Sequence, residues 1–259
     1  MRRGAYAFTF AVLVPLACLG QFPYSVSTVA GSYRLGDGGP ASAALLLRPS
    51  AVAVDTAGNL YILENFPRSF GRRVRKASPS GIISTLSLSG IPDPSAVAVD
   101  RSGNLYVASS TQVRKVTPAG QWGIVAGTGA YGYTGDGGPA TAAALQRPGA
   151  LALGAEGSLF FADGPRVRKI TPSGTVNTVW ATSDARLRPD WRSDAISGIL
   201  PSLAVDSSGN VYFTYGNQVR KLATDGTITT VAGTGKWGYS GDGGPATSAM
   251  LGVPRGVTV

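Results

Sequence analysis

A glycine-rich phrase recurs three times in this chain: LGDGGPASAALL from Leu35, GYTGDGGPATAAAL from Gly132 and GYSGDGGPATSAML from Gly238. Recurrence at long spacing constrains the fold more than any single motif, because copies of one unit must bury their core by stacking on each other. Four shorter phrases recur around it in fixed order. The first is AVAVD at 51–55 and 96–100, with ALALG at 150–154, LAVD at 203–206 and GVTV at 256–259. The second is NLYIL from Asn59, NLYVA from Asn104, SLFFA from Ser158 and NVYFT from Asn210. The third is VRK at Val74, Val113, Val167 and Val219. The fourth is VSTVAG from Val26, IISTL from Ile82, WGIVAG from Trp122, TVNTVW from Thr175 and TITTVAG from Thr227.

Each short phrase is rich in β-branched and aromatic residues and is bounded by Gly, Asn, Asp or Pro, which predicts strands. D-x-x-G-N between the first and second phrases is a tight hairpin turn in which glycine supplies positive φ. T-P-S/A-G, or ATDG, plays the same part between the third and fourth. The unit is therefore a four-stranded antiparallel meander, with strands a, b, c and d. Successive VRK phrases stand 39, 54 and 52 residues apart, within reach of the periods of propeller blades. Radial stacking of such sheets buries both their faces, so the expected fold is an all-β β-propeller of four complete blades plus partial terminal strands.

The set AVAVD, GNLYVA, RVRK and TVAGTG followed by GYSGDGGPAT resembles bacterial NHL-repeat proteins over residues 24–259. The resemblance implies the NHL-type propeller, usually six-bladed in that family. It implies a fold more firmly than an activity, since propellers host many functions.

Composition narrows the chemistry. Glycine, at 36 of 259 residues, is about twice its usual share of roughly 7%, as many tight turns require. The chain has no histidine, which removes Ser-His-Asp triads, histidine-ligated zinc and the histidine-dependent propeller lyases. Cys18 is the only cysteine and lies in an N-terminal segment where Arg2 and Arg3 precede an apolar run. Residues 1–20 read as a secretory signal peptide, which places residues 21–259 as an exported propeller, periplasmic or extracellular. Lipidation at Cys18 is the minor alternative, because Pro15 stands where such signals prefer leucine. Removing Arg2 and Arg3 leaves 21 basic against 14 acidic residues, a charge of +7. An exported basic surface points to a protein or an acidic glycan at the cell surface, not to nucleic acid, and nothing else in the chain is apolar enough to span a bilayer.

Two groups of residues are candidate sites. Blade 1 carries an insertion between strands b and c with Arg68, Phe70 and Arg72, and the link between blades 3 and 4 (residues 181–201) carries Arg186, Arg188, Trp191 and Arg192. Arginine and aromatics on variable loops of a rigid scaffold favour ligand binding. The meander connectivity places both loops, with the GDGGPA copies, on one rim. In GDGGPA itself, Pro139 is placed to start a short helix ending before Pro148, with Asp136 or Gly138 near its cap, and the phrase reads as an inter-blade spacer. The second group is Asp55, Asp100 and Asp206, which end strand a and so approach the central channel. Their carboxylates are a calcium site in the alternative reading, a carboxylate-metal hydrolase or lactonase. The favoured reading gives each Asp to its own hairpin turn, with no cofactor, and Gly154 breaks the ring in blade 3.

Strands a and d occur five times each, b and c four times. Residues 26–30 are expected to be a d strand and residues 256–259 an a strand. That tally predicts four complete blades in an open or strained arc, from a chain incomplete at its C-terminus. The alternative is a closed four-blade ring with residues 256–259 as an unpaired tail.

Overall fold

The computed structural model describes residues 36–65, 72–86, 88, 91, 93–182 and 202–259. Within them lie four separate four-stranded antiparallel sheets, each pairing its strands in sequence order. Blade 1 is β1 (Pro49–Val54), β2 (Leu60–Glu64), β3 (Arg73–Ala77) and β4 (Ile83–Thr85). Blade 2 is β5 (Pro94–Val99), β6 (Leu105–Ser109), β7 (Gln112–Val116) and β8 (Trp122–Ala126). Blade 3 is β9 (Pro148–Leu153), β10 (Leu159–Asp163), β11 (Arg166–Ile170) and β12 (Val176–Ala181). Blade 4 is β13 (Leu203–Val205), β14 (Val211–Tyr215), β15 (Gln218–Leu222) and β16 (Ile228–Ala232).

The hairpins form as the turn chemistry requires. In the a–b turn of blade 1, the Gly58 amide donates to the Asp55 carbonyl at 3.0 Å, and Gly58 takes φ +81°. The same bond recurs at Gly103, Gly157 and Gly209, so the D-x-x-G-N phrase is a turn built four times, with Gly154 supplying the backbone where Asp is missing. In blades 2, 3 and 4 the c–d pairing carries a bulge at the Val-Arg step of VRK, which locally sharpens strand twist.

The first strands of successive blades pack side by side, β1 on β5, β5 on β9 and β9 on β13. Apolar side chains fill the spaces between. One cluster joins blades 1 and 2 through Tyr61, Leu63, Val97 and Val107. Another joins blades 2 and 3 through Val113, Ala126, Leu151 and Phe161, and a third joins blades 3 and 4 through Phe160, Trp180, Leu203 and Phe213. Among the described residues no such cluster joins blade 4 to blade 1. Val52 and Val54 of β1 stand 62% and 57% exposed. Among the described residues the blades therefore pack in chain order, each on the next.

Three details differ from the sequence expectation. The second GDGGPA copy does not decorate a rim but wedges between blades 2 and 3. Gly127 and Thr128 at the end of blade 2 donate to the carbonyls of Ala140 and Ala143, while Gly137 and Ala140 donate onward to Val176 and Gly174 of blade 3. Ala140, Ala143 and Leu145 are consequently buried in the cluster between those blades. The expected short helix is a single 3-10 turn, Ala140–Ala142, preceded by Pro139, and no side chain caps it. Asp136 is drawn elsewhere, to an arginine. Residues 256–259 lie beside blade 4, where the Val257 amide donates to Ser202 Oγ at 3.0 Å, but they join no sheet. The expected d strand at 26–30 lies outside the described residues, as does the signal segment.

Candidate functional site

The three strand-ending aspartates are built into their own turns. Asp55 Oδ1 accepts from the amides of Ala57 and Asn59, and Oδ2 accepts from Asn59 Nδ2 at 2.7 Å and the Tyr61 hydroxyl at 3.1 Å. Asp100 and Asp206 repeat the arrangement with Asn104 and Tyr106, and with Asn210 and Tyr212. Desolvation works to raise the Asp55 carboxyl, but the Asn59 and Tyr61 hydrogen bonds outweigh it and hold it below the usual range. The Asn210 side chain does the same for Asp206. Burial, with the Asp55 hydrogen bond and charge behind it, pushes the Tyr61 phenol up to about 12. Among the described residues no three potential metal-ligating side chains gather in one place.

The VRK strands hold a polar framework. The lysine of each copy lies over the aromatic ring of the neighbouring b strand: Lys76 over Tyr61, Lys115 over Tyr106, Lys169 over Phe160 and Lys221 over Tyr212, at 5.2 to 5.7 Å. The arginine faces the other way, since strand side chains alternate. In blades 1 and 3 it is buried. Arg168 Nη2 donates to Asp136 at 2.7 Å and to the Thr134 carbonyl, while Nη1 reaches Asp163 at 3.2 Å and the Ala144 carbonyl. Arg75 makes the equivalent bonds, to Asp37 at 2.7 Å and the Leu45 carbonyl, with Glu64 at 3.9 Å. Glu64 also takes the Leu47 amide and the Arg73 guanidinium, as Asp163 takes the Gln146 amide. Burial raises the Asp163 carboxyl despite those bonds. For Asp37 and Asp136 desolvation is outweighed, by Thr85 and Arg75 in one and Thr178 and Arg168 in the other, and both are lowered.

Blades 2 and 4 are constructed differently. The strand-b carboxylate is replaced by Ser109 and Tyr215, and strand c opens with glutamine. Arg114 and Arg220 donate to Gln112 and Gln218 at 2.8 and 2.9 Å, and stack on Trp122 and Tyr215. Each glutamine amide in turn donates to the glycine carbonyl that opens a GDGG segment, Gly127 or Gly233. The blades thus alternate: one clamped by a preceding GDGG phrase, then one whose glutamine launches the next.

Of the residues expected on binding loops, Arg68, Phe70, Arg186, Arg188, Trp191 and Arg192 lie outside the described residues. Arg72 is described, and its guanidinium donates to the Pro94 carbonyl at 3.2 Å and pairs with Asp93 at 3.9 Å. It stitches blade 1 to the start of blade 2. The anchors of both loops are clear. Glu64 pairs with Arg73 in register across the first, and Ala181 pairs with Arg166 just before the second. Both loops leave from the b–c ends of their blades.

The sequence reading passed over exposed aromatics just ahead of GDGG. Trp237 and Tyr239 are 75% and 88% exposed, and Tyr131 and Tyr133 also reach solvent. Their signal was visible: an aromatic-Gly-Tyr step precedes the second and third copies.

With the geometry in place, known proteins are similar in the following respects. A family model described as the teneurin NHL domain matches residues 118–196. Teneurin-3 of Danio rerio is 27% identical over 256 residues, 83% of this chain and 9% of that protein. Human teneurin-4 is 34% identical over 131 residues, 44% of this chain and 5% of that protein. The chain therefore spans less than a tenth of the curated relatives it matches. Among solved structures, the extracellular domain of a hybrid two-component system from B. thetaiotaomicron superposes with a TM-score of 0.50 at 10% identity, over 78% of this chain and 23% of that one. That likeness concerns the fold. The family model covers less than a third of the chain, and the matched relatives are animal proteins.

Proposed function

We propose that this chain is an exported, non-enzymatic propeller that binds another protein through the two arginine- and aromatic-bearing loops, with an acidic glycan as the second class of partner. The observation that carries the reading is the fate of the repeated polar residues. The aspartates of strand a have both oxygens taken by turn donors, and the buried arginines and acids pair with each other inside the blades. What the repeat does not employ is the chemistry of the insertions, where rigid sheets present variable loops for recognition. The match to a teneurin NHL domain supports a binding module. The net positive charge of the chain favours an acidic partner surface.

Capture from cell-envelope extracts tests this with Trp191→Ala and Arg192→Ala chains beside the parent. Loss of a specific captured protein, with unchanged circular dichroism, is the expected result. Loss of binding to a sulfated glycan column instead assigns the loops to glycan. Unchanged capture of both removes the loops from the site. Stoichiometric calcium uptake abolished by Asp100→Asn would overturn the non-enzymatic reading.

A further inference from the structure

We propose that strand β8, the outer edge of blade 2, is a docking edge for an extended segment of a partner protein. The segment brings a carboxylate to Arg114 and apolar side chains to Trp122 and Ile124. This surface is separate from the two loops assigned above. Blades 1 and 3 show how such an edge is closed. On β12 the Gly137 amide donates to the Val176 carbonyl, the Val176 amide to the Gly138 carbonyl, and the Ala140 amide to the Gly174 carbonyl. On β4 and its turn Gly38, Gly39 and Ala41 make the same three bonds to Ile83 and Gly81. Val176 and Ile83 are fully buried there. The aspartate of each covering segment, Asp136 or Asp37, pairs at 2.7 Å with the strand-c arginine, Arg168 or Arg75. Both covering segments are thus extended, glycine-bearing and acidic.

In blade 2 Trp122 stands opposite Val116, as Val176 stands opposite Ile170 and Ile83 opposite Ala77. The Thr117 amide donates to the Gln121 carbonyl, so the next pair, Val116 with Trp122, is a non-hydrogen-bonded one. The Trp122 amide and carbonyl therefore point outward, and two residues on those of Ile124 do the same. Among the described residues no backbone group meets Trp122 or the Gly120 carbonyl from outside, where Val176 and Gly174 receive the GDGG phrase. Trp122 and Ile124 stand 49% and 42% exposed. The length of the preceding link accounts for the difference. Residues 127–147 lead into blade 3 and carry the phrase. Residues 86–93 lead into blade 2, and their Leu86, Leu88 and Ile91 pack between blades 1 and 2.

The chemistry of this edge specifies its occupant. Outward amides and carbonyls on an outer strand are a template for one more strand. Arg114 occupies the place of Arg75 and Arg168, and its guanidinium, which donates to Gln112, lies over the Trp122 ring at 4.7 Å. A carboxylate arriving there as Asp136 arrives at Arg168 makes a charge-assisted pair. Thr85 and Thr178, which hydrogen-bond to Asp37 and Asp136, are replaced in blade 2 by Ile124. The occupant therefore adds apolar contact where the internal phrases add a polar one. Blade 4 has Ile228 and Thr230 at the two positions, so the exposed apolar pair is particular to blade 2. Tryptophan and arginine are also the residue types that dominate binding at protein interfaces.

The test selects short random peptides, displayed on phage, against the whole chain. Selected peptides are expected to carry Asp or Glu beside apolar residues and, as synthetic peptides, to slow hydrogen exchange at the Trp122 and Ile124 amides of the parent chain. Arg114→Gln is expected to weaken their binding about tenfold or more, as loss of a charge-assisted bond implies, and Trp122→Ala to do likewise, with circular dichroism unchanged. Trp191→Ala and Arg192→Ala chains are expected to bind these peptides as the parent does, so this edge and the loops fail or stand separately. An empty selection overturns the proposal, as do peptides that bind without slowing the two amides or that keep full affinity for both edge variants. Slow exchange of the two amides in the chain alone would show the edge already covered by its own chain and overturn it. Self-association that Trp122→Ala abolishes would give the edge to a second copy and overturn it too.

Discussion

Arg168 sets the terms at the scale of single residues. A guanidinium this deeply buried costs several kcal/mol of desolvation, offset only by well-placed partners. Here two carboxylates and two backbone carbonyls surround it. Arg168→Ala leaves Asp163 charged and buried without its partner, and a loss of about 3–5 kcal/mol in urea unfolding is expected. Removing both ends together, Arg168→Met with Asp163→Leu, is expected to cost less than the single change, because no orphaned charge remains. The pH dependence has two edges. The carboxyls of Asp37 and Asp136 are lowered by their partners, so their stabilisation is complete above the ordinary 3.8 and is lost as pH falls through their folded values. Asp163 has the opposite sign, since its raised carboxyl returns stability as it is protonated. At the alkaline side Tyr61 is raised from 10.0 to about 12, so its contribution is complete below 10.0 and disappears as pH rises through about 12. Burial and Asp100 raise the Tyr106 phenol as well, so ultraviolet titration is expected to find the phenols of Tyr61 and Tyr106 late, and Asp55→Asn to move that of Tyr61 down.

At the scale of the element, the GDGG phrase behaves as a wedge whose tolerance depends on which face is covered. A Cβ on Gly127 would stand 2.2 Å from the Thr111 carbonyl oxygen, at φ +94°. Gly127→Ala is expected to destabilise by about 3 kcal/mol or more, since both sterics and backbone oppose it. Gly123, in the same blade, would place a Cβ in open space at an ordinary strand conformation, and Gly123→Ala is expected to be neutral or slightly stabilising. The same contrast separates copies. Ala140 is buried between blades 2 and 3, and Ala140→Leu is expected to cost about 1–3 kcal/mol by overpacking. Ala246, at the matching position of copy 3, is exposed, and Ala246→Leu should shift stability by less than about 0.5 kcal/mol. Thermal unfolding of the pair distinguishes position in the motif from position in the fold.

At the scale of the whole molecule, the four described blades form a one-dimensional array. Each blade is coupled to its neighbours through one apolar cluster, so stability is approximately a sum of blade and interface terms. Blades 2 and 3 have two such interfaces, blades 1 and 4 have one. Amide exchange is therefore expected to be slowest in β6, β7, β10 and β11 and fastest in β16, with β1 intermediate at best because Val52 and Val54 face solvent. Uniform protection across all four blades would mean that blade 4 also packs on blade 1 in solution. Among the described residues no helix is long and apolar enough to cross a membrane.

Repetition makes most of this fold legible in the sequence. Strand type, meander order and hairpin chemistry follow from local rules, β-branched runs between Gly-, Asn- and Pro-bearing turns, and a local rule written four times is read four times. The turn role of Asp55, Asp100 and Asp206 was legible for the same reason, because their partners lie within six residues along the chain. The place of GDGG was not. Its aspartate binds an arginine 38 or 32 residues away, and its alanines are buried by the blade that follows, neither of which a local pattern contains. That copies 1 and 2 are covered while copy 3 is bare is a property of what stands beside each copy: nearly identical sequences acquire different burial because burial is decided by neighbours in space.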